Sequence, residues 1–193
     1  MKKLNEDNYL ALCEDIKKRK EGIRPFIIAI DGRCASGKTT LAKELANKFN
    51  ASIVHMDDFF LQMHQRTPER YHEPGGNVDR ERVEEVLKYL SRGEDAPYQP
   101  FDCVNIELGE MRMLPCTDVI IVEGSYSLHP ELQKYYHYRI FVTIPYEEQI
   151  ARIKQRDGLE KIEMFEKKWI PLEEAYLEAF EVDKICEEVF STV

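Results

Sequence analysis

Gly32-Arg33-Cys34-Ala35-Ser36-Gly37-Lys38-Thr39 is a complete G-x-x-x-x-G-K-[ST] stretch, the pattern of a backbone loop that cradles phosphate. Its flanks decide how it folds. Ahead of it, Pro25-Phe26-Ile27-Ile28-Ala29-Ile30 is a short apolar run bounded by Pro and Gly, the profile of a strand buried on both faces. Behind it, Leu41, Leu45, Ala46 and Phe49 recur at helical spacing, with Asn50 as the stop. Strand, glycine loop and helix start follow in the order phosphate binding needs. Glycines let the backbone N–H groups turn toward the anion, and the helix N-terminus adds its dipole. Residues Gly32, Arg33, Cys34, Ala35, Ser36, Gly37, Lys38, Thr39 and Thr40 are therefore the predicted nucleotide contacts. Lys38 would reach the β- and γ-phosphates of ATP, and the Thr39 hydroxyl would ligand Mg²⁺.

Working outward, 193 residues suit one domain, 1–193, with a sizeable core. Hydrophobic content of 43% with 33% charged residues is ordinary for a globular chain. A net charge of −9 argues against a nucleic-acid partner, which needs a basic face. No stretch approaches a membrane span, and the charged N-terminal segment lacks a signal core, so the expected location is the cytoplasm and the expected partner a small molecule. A homo-oligomer is left open. The five cysteines are scattered without a C-x-x-C pair, which fits reduced thiols. Cys34 lies inside the loop, where helix-terminus amides could lower its pKa.

Tyr9, Leu12, Cys13 and Ile16 mark an amphipathic helix within 1–22. Ser52 to Met56 reads as a second strand, and 61–76, polar and ending in Glu73-Pro74-Gly75-Gly76, as a mobile loop. Val83, Val86, Leu87 and Leu90 define a helix; about 97–115 reads as two extended pieces around Gly109, a hairpin insert. Val119-Ile120-Ile121-Val122 and Arg139 to Ile144 are two more buried strands, Glu188-Val189-Phe190 a short last one. Charge-rich helix runs from about 147 to 180, interrupted near Asp157-Gly158, so that about 150–170 forms a lid. Strands alternating with helices imply an α/β fold with a parallel sheet covered on both faces, and ligands in such sheets bind beyond the strand carboxyl ends.

At those ends, Thr39 and Glu123 can share Mg²⁺, an ion that takes few protein oxygens beside water and phosphate. Asp57 follows the second strand and can orient an alcohol and accept its proton; Asp58 is the competing candidate, and adjacent side chains point apart. Arg152 and Arg156 share a helix face and can clamp a transferring phosphoryl group, a salt bridge from Arg152 to Glu148 being the structural alternative. Phe59, Phe60, Tyr98 and Phe101 either stack on a flat ring or fill the core. The five histidines show neither metal nor triad spacing.

The set Gly32–Thr39, His55-Met56-Asp57-Asp58-Phe59-Phe60, Asn77-Val78-Asp79, Tyr98-Gln99-Pro100-Phe101-Asp102 and Val122-Glu123-Gly124 resembles the uridine kinase family over about residues 26–190. Nicotinamide riboside kinases look similar at Asp57–Phe60 and Ile144–Glu148. The resemblance implies a P-loop kinase fold with a five-stranded parallel core and a closing lid. It implies transfer of the ATP γ-phosphate to a nucleoside 5′-hydroxyl, uridine- or cytidine-like. Nicotinamide riboside or a non-nucleoside alcohol such as pantothenate is the alternative. By the same resemblance, Asp57 matches the catalytic aspartate, Asp79 the one that holds ribose hydroxyls, and Glu123 the magnesium-associated acid. The chain departs from the pattern near Asn105-Ile106, where uridine kinases carry a pyrimidine-reading histidine, and has fewer arginines after Asp157. A GTPase switch is disfavoured by the lack of N-K-x-D and D-x-x-G. A non-catalytic nucleotide-binding regulator is disfavoured because it needs no base such as Asp57.

Overall fold

The computed structural model describes residues 1–193. Strand β1 (Lys2–Lys3) precedes helix α1 (Glu6–Arg19). Asn5 caps α1 by accepting the Asn8 N–H, and the last turn is basic, so both ends answer the helix dipole and its unpaired amides. Strand β2 (Phe26–Gly32) runs through the phosphate loop into α2 (Lys38–Phe49), followed by β3 (Ser52–His55), α3 (Pro68–His72) and α4 (Arg80–Ser91). Short strands β4 (Ala96–Tyr98), β5 (Phe101–Asp102), β6 (Glu107–Leu108) and β7 (Arg112–Leu114) lead to β8 (Val119–Glu123). Then come β9 (Tyr138–Thr143), α5 (Tyr146–Asp157), α6 (Ile162–Met164), α7 (Ile170–Phe180) and β10 (Glu188–Ser191).

The main sheet has the order β1-β10-β9-β2-β8-β3, with every pairing parallel. All residues of β2 and β8 are buried, because helices cover both faces. The two-residue period of a strand divides β2 between two cores. Phe26, Ile28 and Ile30 meet Leu12, Ile16, Leu41 and Leu45 on one side. Ile27 and Ala29 meet Val83, Leu87, Leu90 and Tyr176 on the other. The strand ends that carry chemistry are thereby fixed to one edge of the sheet.

Three local expectations are revised. The parallel sheet has six strands, not five, because Lys2 and Lys3 pair with Phe190 and Ser191; two exposed lysines carry no apolar signal from which a strand could be read. Residues 61–76 are more built than a mobile loop: Thr67 caps α3, and the Arg70 guanidinium donates to the carbonyls of Gly76 and Val78 at 2.8 and 2.9 Å. The insert is one hairpin in two rungs, β4 with β7 and β5 with β6. Its turn lies at 103–106, where the Asp102 carboxylate accepts the N–H of Val104 and Asn105; Gly109 belongs to the returning arm and donates its N–H to the Pro100 carbonyl.

Asp31, fully buried in β2, joins three segments. Its carboxylate accepts the N–H of Gly32 at 2.6 Å, of Tyr126 at 3.1 Å and of Leu128 at 2.9 Å, and the Tyr176 hydroxyl at 2.7 Å. Removing one donor from a satisfied buried carboxylate costs about 1–3 kcal/mol. Tyr176→Phe should therefore lower unfolding stability by about 1–3 kcal/mol, read from the shift of the urea midpoint. An unchanged midpoint would deny the hydroxyl any supporting role.

Candidate active site

The phosphate loop leaves β2 through Gly32, at φ +139°, where a Cβ would lie 1.8 Å from the Val142 carbonyl oxygen. A side chain there is excluded by β9 itself. Ala35 adopts φ 59° and Gly37 φ 98°, and the loop closes on the first turn of α2. Lys38 is buried and folds back, its Nζ donating to the carbonyls of Gly32 at 2.7 Å and Arg33 at 2.8 Å. Thr39 and Thr40 are exposed at the helix start.

Beside the loop, the Thr39 hydroxyl donates to Glu123 Oε2 at 3.1 Å. The other oxygen, Glu123 Oε1, lies 2.6 Å from His55 Nδ1. His55 ends β3 and Glu123 ends β8, and the two are register partners in the sheet. The bond to Glu123 raises the His55 pKa, against the opposing effect of burial. A hydroxyl and a carboxylate side by side form a hard-oxygen donor pair suited to Mg²⁺, whose remaining ligands would be phosphate and water. No cluster of three or more His, Cys, Asp or Glu offers a closed protein cage.

Asp57 opens into the same crevice. The crevice walls strip its hydration and the Glu123 charge repels it, both raising its pKa, while Lys38, Arg156 and His55 pull it down. Asp58 reaches Tyr98 and a cavity of about 710 Å³ that it lines with Phe101, Asp102, Glu107 and Arg112, while its charge, like that of Asp57, also acts on His55. Of the two, Asp58 is the one that lines this cavity.

The arginines also part company. Arg156 lies over the loop, its Nη2 3.6 Å from Cys34 Sγ and its Nε on Asp157 at 2.8 Å. Arg152 does not join it as a clamp. Its guanidinium donates to Glu148 at 3.1 Å, to Thr192 Oγ1 at 3.1 Å and to the Ala35 carbonyl at 3.4 Å. It lies behind the loop, beside a second cavity of about 570 Å³ that it lines with Gly37, Thr40, Tyr9 and Thr192. Arg33 turns away as well, onto Glu174 and Thr143.

Two residues expected on the substrate side have structural partners. Asp79 is 1% exposed; it caps α4 by accepting the Arg82 N–H at 3.2 Å and takes the Arg82 Nε at 2.8 Å. Burial pushes its pKa up, but the hydrogen bonds from Arg82 and Gln65 prevail and hold it below the usual value. Each of its oxygens thus holds a partner within the protein and keeps one further lone pair. Phe59 is 1% exposed in the larger core, stacked on Tyr98 with centroids 5.9 Å apart. Tyr98 is half-buried, and Phe101 reaches the 710 Å³ cavity at its edge. The Cys34 thiol is pushed up by burial and by Glu173, the reverse of an activated thiolate.

Sequence reasoning gave no role to His55, Asp31, Arg82 or Glu173. Asp31 directly precedes the loop, which is a usable signal, and Arg82 sits three residues after Asp79; His55 and Glu173 depend on partners far along the chain.

Taken together, the parallel sheet, the phosphate loop and the strand-end carboxylates define a P-loop kinase fold. The family model described as AAA domain matches residues 28–170. A uridine kinase of Clostridium botulinum (strain Kyoto / Type A2) is 30% identical over 145 residues, covering 69% of this chain and 69% of that protein. The chain belongs to the AAA domain family and to the uridine kinase family. Uridine kinase-like protein 4 of Arabidopsis thaliana is 27% identical over 155 residues, 76% of this chain and 32% of that protein; the chain spans about a third of the length of this relative and of uridine kinase-like protein 3. A solved structure described as a possible uridine kinase from Bacillus stearothermophilus shares the fold, with TM-score 0.70 and 20% identity over 96% of this chain and 98% of that one. No helix is long and apolar enough to cross a membrane.

The capping role of Asp79 is open to a direct check. Asp79→Ala removes a cap and unpairs Arg82, so stability should fall by roughly 2 kcal/mol. A steady-state KM for the acceptor that stays within about twofold would accompany it. A large KM increase at unchanged stability would restore the ribose-binding role.

Proposed function

We propose that this chain is an ATP-dependent, Mg²⁺-assisted kinase that phosphorylates a small-molecule alcohol, with a nucleoside 5′-hydroxyl as the leading acceptor. The observation that carries this reading is convergence. Lys38 folded on the loop, Glu123 bonded to both Thr39 and His55, and Arg156 over Cys34 come from separate elements, and their charges act on Asp57. A nucleotide sensor needs no such carboxylate; a phosphoryl transfer to an alcohol does.

In this reading the loop amides and Lys38 bind the phosphates, Lys38 exchanging its two carbonyl partners for phosphate oxygens. Thr39 and Glu123 would hold magnesium, which when bound offsets the charge of the phosphate oxygens. The raised pKa makes Asp57 a stronger base toward an acceptor hydroxyl. Arg156, on the helix that ends at Gly158, supplies positive charge over the transferring group from the lid side. The 570 Å³ cavity behind the loop suits the nucleotide base, with Arg152 as its wall. The 710 Å³ cavity between Asp58 and the hairpin suits the acceptor. The similarity to proteins named uridine kinase favours a nucleoside. Nicotinamide riboside or a non-nucleoside alcohol is the second reading, favoured by the hairpin turn, where Asn105 and Ile106 replace the histidine of the family pattern.

Two measurements test it. ATP consumption should depend on an added alcohol in a screen of nucleosides, nicotinamide riboside, pantothenate and small sugars; turnover indifferent to all of them would leave the regulator. Asp57→Asn should lower kcat by about 10²–10⁴-fold while ATP binding is retained, since the group acts on the acceptor proton. Full activity in that variant would move the base to Asp58 or abandon it.

A further inference from the structure

Helix α7 reaches the phosphate loop with two consecutive carboxylates. Glu174 takes the Arg33 guanidinium through Nε at 2.6 Å and Nη2 at 2.7 Å. Glu173 is 3% exposed, and its oxygens lie 2.5 and 2.9 Å from the Cys34 amide nitrogen, whose N–H they accept. A carboxylate on a loop amide does there what a phosphate oxygen does: it is an anion satisfying a backbone donor. Glu173 also lies within the field of Lys38, the cation meant for the terminal phosphates. A buried charge with one amide and no direct cation partner is costly to keep, and it adds repulsion to any triphosphate.

The lid is fastened to the same place. Ile170, in the first turn of α7, packs with Ile150 and Ile153 of α5, and Cys34, Ala35, Ile162 and Phe165 complete the cluster. Whatever moves Glu173 therefore pulls on the segment between Gly158 and Ile170.

We propose that Glu173 is the resident anion of the phosphate loop in the nucleotide-free protein, and that the terminal phosphate of an incoming nucleotide displaces it, releasing the first turn of α7 and the lid segment before it from the loop. The inference rests on the nucleotide reading of the loop and adds to it a residue that sets affinity and couples lid to phosphate. It also separates ATP from ADP, since the γ-phosphate meets the carboxylate most directly.

Protonation of Glu173 relieves the competition. Burial pushes its pKa up to about 7, against the pull of Lys38 and the Cys34 N–H, with Asp31 and Glu174 adding to the rise. Arg33 and Tyr126 also face it. Below that value the competing charge is lost; above it the charge is present in full.

Isothermal titration of the full chain with ATP and with ADP, without acceptor, tests the proposal. At pH 8, Glu173→Gln should bind ATP about tenfold more tightly than wild type, with a smaller gain for ADP. At pH 6 the gap should shrink, and comparing two proteins at each pH cancels the titration of ATP itself. Equal or weaker ATP binding by the variant at pH 8 overturns the proposal. Hydrogen exchange on the wild type needs no substitution: saturating ATP should increase exchange in residues 170–176, and unchanged or greater protection there overturns the displacement. A wild type that binds neither nucleotide at either pH sinks the nucleotide reading and this inference with it, whereas the other adverse outcomes sink this inference alone.

Discussion

The whole site hangs on the buried carboxylate of Asp31. Isolated, such a charge would be too costly to bury; here three backbone N–H groups and the Tyr176 hydroxyl satisfy it. Each donor comes from a segment that carries function. Gly32 begins the phosphate loop, Tyr126 and Leu128 belong to the turn that leaves Glu123, and Tyr176 is on the helix that follows the lid. One side chain therefore registers the loop against the Glu123 strand end and against α7. Networks of this kind are rigid when complete and fragile when one member is lost.

Around that anchor, charge is shared out in a way the net value of −9 does not convey. Arg33 is held by Glu174, Arg152 by Glu148 and Arg82 by Asp79. These pairs hold elements together and leave little positive field for a ligand. Lys38, bonded to neutral carbonyls, keeps its field, and Arg156, paired with its own neighbour Asp157, still acts on Asp57. The crevice thus sets two cations, Lys38 and Arg156, among the carboxylates of Glu123, Asp57 and Glu173. Its balance changes with each proton or phosphate added, because low-dielectric surroundings magnify every charge.

Some of this was legible in the residues alone. Val119–Val122 and Phe26–Ile30 are apolar throughout, and such runs fold as buried parallel strands. Asn50 ends α2 with φ 52°, as its place after the last apolar residue suggested. The hairpin was visible but its turn was not, since Gly109 is the stronger turn signal and Asp102 made the turn by capping two amides instead. Phe59 and Asp79 looked like ligand contacts because aromatics and carboxylates do both jobs. Only their neighbours, Tyr98 and the core for one and Arg82 for the other, show the structural job that each does.

By itself the sequence determined the elements whose signals are local: the phosphate loop between strand and helix, the parallel strands, and the placement of Asp57 and Glu123 at strand ends. These follow from backbone sterics, hydrophobic period and the chemistry of glycine, all properties of neighbouring residues. Tertiary structure decided which charges remain free. Arg152 and Arg156 are one turn apart and chemically identical, yet Thr192 and Glu148 hold the first while the second faces Cys34. Glu173 and Glu174 are adjacent, yet one bonds a guanidinium and the other a loop amide 139 positions away in the chain. Glu148 could be named from its spacing of four residues, but Thr192, Cys34 and Arg33, the partners that tell these side chains apart, are brought by the fold.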